Sequence, residues 1–306
     1  MRLIVGTRGS RLSLAQTESV VDALTRNSPN IKIQTKIIET TGDRLESAPL
    51  KEIYGKGVFE KEVDEAIVKG EVDFAVHSMK DVPAEQPEGL TIAAVPRRAP
   101  PNDVLVSQPP LRLHDLPPGA KVGTSSPRRI AELLRIRPDL KPIPIRGNVD
   151  TRIRKLDAGD YDAIILAEAG LTRLSVKNRI VDRLSLEEFT PAPGQGFLAV
   201  VARRDRVDVL KLLDSVNNPE SLAEAVAERA FMNEVGGGCK IPLGAFAQAQ
   251  DGTLNLFGSV ISPDGSKRVD VKEAGTVDRA EAAGRAAAKR IMKMGAAEIV
   301  RSWTPT

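Results

Sequence analysis

The sequence predicts two hinged α/β domains followed by a small α+β C-terminal domain. Three observations lead there. Val5-Gly6-Thr7-Arg8-Gly9-Ser10-Arg11 is echoed by Val122-Gly123-Thr124-Ser125-Ser126-Pro127-Arg128. Each follows a short apolar run and leads into a helical pattern. Proline-rich joints at Pro96 to Pro101 and at Pro191-Ala192-Pro193-Gly194-Gln195-Gly196 divide the chain. Two joints fit a chain that leaves one domain, builds a second and returns, with a ligand cleft between them. From about Asn218 the pattern changes, so the expected domains are 1–98 with 197–216, 99–196, and 217–306.

In the first half, Leu14, Thr17, Val21 and Leu24 fall on one helical face after the opening strand. Ile31–Ile38 reads as a strand. Phe59, Val63 and Ile67 recur at the spacing of a helix that ends near Gly70. Between them, Gly42–Gly57 is long and weakly patterned, a candidate lid. Val72–Val76 reads as a short buried strand.

The second half repeats this order. Ile130, Leu133 and Leu134 mark a helix, Lys141–Arg146 a strand, Val149, Ile153 and Leu156 a helix, and Tyr161–Ile165 a buried strand. The last part has an Ala- and Glu-rich helix over Ser221–Phe231. Strands follow at Ala245–Ala249 and Leu254–Val260, joined by the turn Asp251-Gly252, with another near Val269. A long helix over Arg279–Met294 closes the chain.

Composition narrows the function. The 306 residues carry a net charge of +3, with 3% aromatic residues and no basic tail. Nucleic-acid binding, which wants a basic face or stacking aromatics, is disfavoured. The N-terminus runs directly into a strand without the apolar core of a signal peptide, and no apolar stretch has the length of a membrane span. The single cysteine excludes an internal disulfide and fits a reducing compartment. A cytoplasmic protein without a membrane partner is therefore expected. It is also expected to be a monomer, since no apolar helix face demands a partner. With only His77 and His114 available, no Cys/His metal site is expected.

The residues that could carry chemistry lie at strand ends and on glycine loops. Cys239 follows Gly236, Gly237 and Gly238 and precedes Lys240, whose charge favours the thiolate. A lone cysteine is most often a small buried hydrophobe, but this one stands on a loop rather than in an apolar element. Ser126 can cap a helix with Pro127 in its first turn, placing Arg128 and Arg129 beside free backbone N–H groups, a plausible anion site. Arg146, Arg152 and Arg173, with Arg8 beside Ser10 at the matching place in the first domain, add to a set of cationic groups at strand ends and helix starts. Any single arginine is as readily a surface residue; together they favour a polyanion. Asp81, in His77-Ser78-Met79-Lys80-Asp81, could hold a cation or pass a proton, or simply initiate the turn before Val82-Pro83.

These segments resemble one family, the porphobilinogen deaminases or hydroxymethylbilane synthases. The matching stretches are Thr7-Arg8-Gly9-Ser10, Gly55-Lys56-Gly57-Val58-Phe59, His77–Pro83, Gly123–Arg129, Arg146-Gly147-Asn148-Val149, Tyr161–Ala167, Pro193-Gly194-Gln195-Gly196 and Gly237-Gly238-Cys239. They span nearly the whole chain in the family's order. Pro127 replaces an expected leucine, which the first helical turn accepts. The predicted fold class becomes two hinged periplasmic-binding-protein-like α/β domains plus a small α+β C-terminal domain.

The resemblance implies a transferase of porphyrin and haem biosynthesis that joins four porphobilinogen molecules head to tail, with loss of ammonia, into hydroxymethylbilane. It implies a dipyrromethane cofactor, held to Cys239 as a thioether. Asp81 would be the catalytic carboxylate, facing pyrrole nitrogens. Lys80, Asp81, Ser126, Arg128, Arg129 and Arg146 would hold the cofactor. Arg8, Ser10, Arg146, Arg152 and Arg173 would bind substrate carboxylates, with Gln195 at the interdomain joint. Lys56 and Phe59 would belong to the lid. Two rival readings remain: a solute-binding protein, against which the third domain argues, and a cysteine acyl-transferase, which wants a histidine near the thiol.

Overall fold

The computed structural model describes residues 1–41, 60–83, 86–236 and 242–303. Lys56, Phe59 and Cys239, with the candidate lid stretch Gly42–Gly57, lie outside the described residues. The chain divides into two compact units, Met1–Arg98 with Phe197–Leu222, and Ala99–Gly196 with Ala223–Thr306.

The first unit is built on a five-stranded sheet. Its strands run in the spatial order Lys32–Ile37, Arg2–Thr7, Phe74–Ser78, Leu198–Arg203 and Leu90–Ala94. The first three are parallel, and Leu198–Arg203 is antiparallel to both its neighbours. Leu3 and Val5 alternate onto one face, with Phe74, Val76 and Val200, against Val20 and Leu24 of the Arg11–Asn27 helix.

The second unit contains a sheet of the same plan: Lys141–Ile143, Lys121–Gly123, Ala163–Ala167, Asp103–Ser107 and Asp182–Arg183. Again the first three are parallel and the fourth is antiparallel to both neighbours. One face packs Leu105, Val122 and Ile165; the other packs Val104, Ile164 and Leu166. Burial on both faces explains the unbroken apolar run Ala163–Leu166.

The sequence echo marks equivalent positions in these sheets. Gly6 and Gly123 sit on the second strand in each order, and both are hemmed in by side chains. A Cβ on Gly6 would lie 3.0 Å from Val72, and one on Gly123 2.9 Å from Ile164.

The remainder of the second unit is a three-stranded antiparallel sheet, Leu243–Gln250, Thr253–Ile261 and Arg268–Thr276. Its first turn is Asp251-Gly252, with φ of 51° and 78°, the left-handed pair that a two-residue hairpin requires. Among the described residues, the apolar core of this part draws on Ala223 and later positions, including Phe231, Leu254, Leu256, Val271, Ala287 and Ile291. We propose on that ground to retain 217–306 as a third domain, beside 1–98 with 197–216 and 99–196.

The mixed α/β class with a smaller C-terminal sheet-and-helix domain agrees with the sequence. Two elements differ in length. The strand expected over Lys141–Arg146 ends at Ile143; beyond it the Ile145 N–H is taken by Ser125 Oγ instead of a backbone carbonyl of the neighbouring strand. Arg146 therefore lies in the loop beyond the strand. The last helix, expected over Arg279–Met294, spans Ala280–Ile291 and kinks at Gly295, where φ is 111°. It resumes over Ala297–Trp303, and Trp303 Nε1 donates to the Ile261 carbonyl at 2.9 Å. Among the described residues no helix is long and apolar enough to cross a membrane.

Gly284 lets the Ala280–Ile291 helix press on the Pro219–Glu234 helix. A Cβ there would stand 2.2 Å from the Ala227 carbonyl oxygen and 2.9 Å from Ala230 Cβ. Gly284→Ala gains helix propensity of about 1 kcal/mol but overpacks a rigid crossing, at a cost of about 1–3 kcal/mol. The variant should show a lower urea midpoint; a raised midpoint would mean the helices separate freely.

Candidate functional site

In the first unit, two parallel strands end side by side, and the residues that follow them form the site. Arg2–Thr7 and Phe74–Ser78 pair through Val5 with Phe74 and Gly6 with Ala75. Beyond the first come Arg8, Gly9 and Ser10. Ser10 caps the Arg11–Asn27 helix, accepting from the Ser13 N–H at 3.2 Å. Thr17 Oγ1 donates to Thr7 Oγ1 at 2.9 Å, and Gln16 Nε2 to Ser78 Oγ at 2.9 Å. These bonds hold the helix start against both strand ends.

Beyond the second strand, Met79–Asp81 forms a single 3₁₀ turn. Met79 is buried and its N–H donates to the Phe197 carbonyl at 3.1 Å. That anchor leaves Lys80 half-buried and Asp81 exposed at the carboxyl edge of the sheet. Among the described residues no cation is ion-paired with Asp81. His77 is buried, its Nε2 lying 3.1 Å from Asp64 Oδ1. Glu60, just before the Lys61–Val68 helix, is buried too. Burial and the Asp81 charge push its carboxyl up to about 8.

The second unit offers cations at the corresponding strand ends. Ser126 caps the Pro127–Ile136 helix, its side chain accepting from the Arg129 N–H at 3.4 Å. Ser125 Oγ bonds the backbone of Ile145 in both directions, at 2.8 and 3.0 Å. That fixes the loop carrying Arg146 beside the capped helix. Arg152 Nε donates to the Gly147 carbonyl at 2.7 Å. Arg173 donates to the Gly196 carbonyl at 2.7 Å, and burial pushes its pKa down to about 10. Among the described residues no carboxylate pairs with Arg173, so it remains a charged donor suited to an arriving anion.

Arg128 and Arg129 are buried and turned inward onto Asp103, which is 0% exposed. Arg128 Nη2 reaches Asp103 Oδ2 at 2.6 Å, and Arg129 Nη2 reaches Oδ1 at 2.7 Å. Gln195 Nε2 donates to Oδ1 at 3.0 Å and to the Pro101 carbonyl at 2.7 Å. Arg128 Nη1 also caps the Thr190 carbonyl at 2.6 Å, and Arg129 Nη1 the Ile165 carbonyl at 3.0 Å. Burial alone would raise the Asp103 carboxyl, but the two guanidinium charges outweigh it and hold it well below the usual carboxylate range. Arg128 Nε is buried without a hydrogen-bond partner.

The structure thus gathers Arg8, Ser10, Lys80 and Asp81 in one unit, and Ser126, Arg128, Arg129, Arg146, Arg152, Arg173 and Gln195 in the other. Sequence reasoning missed Asp103 and Glu60. Asp103 had a signal, a lone acid opening the apolar run Val104-Leu105-Val106. Glu60 lay hidden among the charged residues of an amphipathic helix start.

Comparison with known proteins identifies the family. A family described as porphobilinogen deaminase, dipyromethane cofactor binding domain, matches residues 3–211, and the porphobilinogen deaminase C-terminal domain matches residues 222–293. The porphobilinogen deaminase of Desulforudis audaxviator is 46% identical over 298 residues, covering 97% of this chain and 96% of that protein. That of Thermus thermophilus is 46% identical over 299 residues, covering 97% of this chain and 98% of the relative. Among solved structures, the periplasmic VFT2 domain of Bordetella pertussis BvgS aligns with 70% of this chain and 86% of its own, at 15% identity and a TM-score of 0.43.

Asp103→Ala strips the counter-charge from two buried guanidinium groups and should cost about 3–5 kcal/mol in urea unfolding at neutral pH. The folded Asp103 pKa lies below its ordinary 3.8. Its stabilisation is therefore complete above that value and lost as pH falls through the folded pKa. Acid unfolding should show this loss in the parent and not in the variant. Equal stability at neutral pH would mean that the arginines find other partners.

Proposed function

The chain belongs to the porphobilinogen deaminase family, and from that premise we propose how its residues divide the work. It is a hydroxymethylbilane synthase, a transferase of tetrapyrrole biosynthesis that condenses four porphobilinogen molecules into hydroxymethylbilane with release of ammonia. It carries the dipyrromethane cofactor of its family.

The donor set fits that cofactor. Pyrrole rings bearing acetate and propionate groups are polyanions. Arg173 without a carboxylate partner, Arg146 and Arg152 beyond their strand, and the capped helix start at Ser126 supply cationic and N–H donors. Cys239 would hold the cofactor as a thioether, stable to water, so the anchor survives each turnover; this assignment rests on the Gly237-Gly238-Cys239 match. When bound, the cofactor supplies the terminal pyrrole carbon from which the chain grows. Lys80, Asp81, Ser126, Arg128, Arg129 and Arg146 would position it, and Arg8, Ser10, Arg146, Arg152, Arg173 and Gln195 the substrate. Arg128 and Arg129 would act mainly through charge, since Asp103 already occupies much of their fork.

One observation carries the catalytic reading. Asp81 is an exposed carboxylate at the carboxyl edge of a sheet, without an ion-pair partner among the described residues. Positive charge develops on the pyrrole as ammonia leaves. A carboxylate about 4 Å away in an effective dielectric of about 20 stabilises it by about 4 kcal/mol, roughly a thousandfold in rate. Acyl transfer is the poorer reading, because His77 is buried against Asp64. A cytoplasmic location completes the proposal, since the single cysteine fits a reducing compartment.

Intact mass measured under denaturing conditions should exceed the sequence mass by two linked pyrroles, and Cys239→Ser should lose both the added mass and nearly all turnover. An active parent of unmodified mass would refute the anchor. Asp81→Glu should fold normally yet slow steady-state turnover by about 100-fold or more, since one methylene displaces the carboxylate. Parental rates would reduce Asp81 to a turn residue.

A further inference from the structure

The C-terminal sheet meets the Pro127–Ile136 helix through a buried guanidinium that the proposed roles leave unused. Arg268 opens the Arg268–Thr276 strand, and its side chain is 8% exposed. Nε donates to Asp270 Oδ1 at 2.7 Å on its own strand. The other two nitrogens reach across the interface. Nη1 donates to Glu132 Oε2 at 3.1 Å and to the Glu188 carbonyl at 2.7 Å. Nη2 donates to the Glu187 carbonyl and to Thr190 Oγ1, the latter at 3.1 Å. The turn before the strand sets this reach. Gly265, with φ of 73°, lies so close to the helix that a Cβ would stand 2.6 Å from both the Ala131 carbonyl oxygen and the Arg135 nitrogen.

Glu132 is the acid that this guanidinium holds. It is fully buried and follows Arg128 by one turn on the same helix face. Its two cationic partners, Arg268 and Arg135, both bind Oε2, each at 3.1 Å. Oε1 is buried without a hydrogen-bond partner, and so is Arg128 Nε. An acceptor and a donor are thus left open one turn apart, where an acid and a base ordinarily make a favourable pair. Burial pushes the Glu132 carboxyl above its ordinary range; the Arg268, Arg135 and Arg128 charges oppose that, Arg268 most strongly. Arg268 and Arg128 also hold Thr190 together, one through Oγ1 and the other through the carbonyl at 2.6 Å.

We propose that Arg268 is a positioning residue for anion binding: it holds Glu132 off Arg128, so that the Arg128 charge stays with Asp103 and the helix start. The inference rests on the proposed role of Arg128 toward the carboxylates of cofactor and chain. Arg128 and Arg129 on Asp103 leave one positive charge at that helix start. Without Arg268, Glu132 turns to the open Arg128 Nε and cancels it. Arg135 does not prevent this, because it is more exposed than Arg268 and grips Glu132 through Nε alone. A polyanionic chain then meets a neutral helix start, and its binding weakens.

The test uses holoenzyme labelled with ¹⁵N-arginine, as parent, Arg268→Gln, Arg268→Lys, the double variant Glu132→Gln/Arg268→Gln, and Arg128→Gln. The Arg128 Nε–H resonance is the one that Arg128→Gln lacks. It should move downfield in Arg268→Gln, where the N–H gains a carboxylate, and return in the double variant. In kinetics, kcat/KM for porphobilinogen should fall about tenfold in Arg268→Gln. The double variant should recover it to within about twofold. Arg268→Lys, which keeps the charge but not the fork, should show both changes in smaller degree. An unmoved resonance in Arg268→Gln, or a loss that the double variant does not repair, overturns the proposal. So does parental kcat/KM in Arg268→Gln with a lowered urea midpoint, the result of a purely structural contact. Parental kcat/KM in Arg128→Gln instead overturns the reading of Arg128, on which the resonance shift does not depend.

Discussion

The second unit turns on a carboxylate that water does not reach. Asp103 opens the Asp103–Ser107 strand and is ringed by Arg128, Arg129 and Gln195. Through these side chains it ties together a helix start, the proline-rich joint and the strand itself. A buried ion cluster is worth little against an apolar core of the same volume, yet breaking it is costly, because the remaining charges are stranded. Two guanidinium groups on one carboxylate leave one net positive charge. It is fixed at the positive end of the Pro127–Ile136 helix before any ligand arrives. Such a preorganised field needs no reorganisation when an anion binds.

The same sheet plan presents different side-chain types in the two units. In both, three parallel strands are followed by an antiparallel one, and the residues proposed to form the site follow the carboxyl ends of parallel strands. The first unit places an exposed carboxylate there, Asp81. The second places arginines and a capped helix start. A reaction that generates a cation on a polyanionic substrate needs both kinds of group. The lone cysteine need react only once, when the cofactor is installed, whereas Asp81 would act at every condensation.

Much of this was legible in the sequence. The Gly6 and Gly123 echoes, the apolar spacing of the helices and the Asp251-Gly252 turn are local signals, and each became the element expected. So did the placing of Ser126 as a cap, which depends only on neighbouring N–H groups; the matching cap at Ser10 appeared only in the fold. What the sequence could not show was partnership over distance. Arg128 and Arg129 looked free at a helix start, and only the fold brings Asp103 onto them from 25 and 26 positions away. Glu60 looked like one of several surface charges, and only the fold buries it. Strand length also failed where a side chain replaced the neighbouring backbone as hydrogen-bond partner, as Ser125 does for Ile145.

The central claim is that a single carboxylate, Asp81, serves every condensation while Cys239 holds the growing chain. Time-resolved intact-mass spectra after mixing with porphobilinogen resolve the covalent species by the number of pyrroles added. In Asp81→Glu the account predicts that each one-pyrrole step slows by a similar factor, with all species still attached to Cys239. Slowing confined to one step, or species appearing at the parental rate, would contradict it.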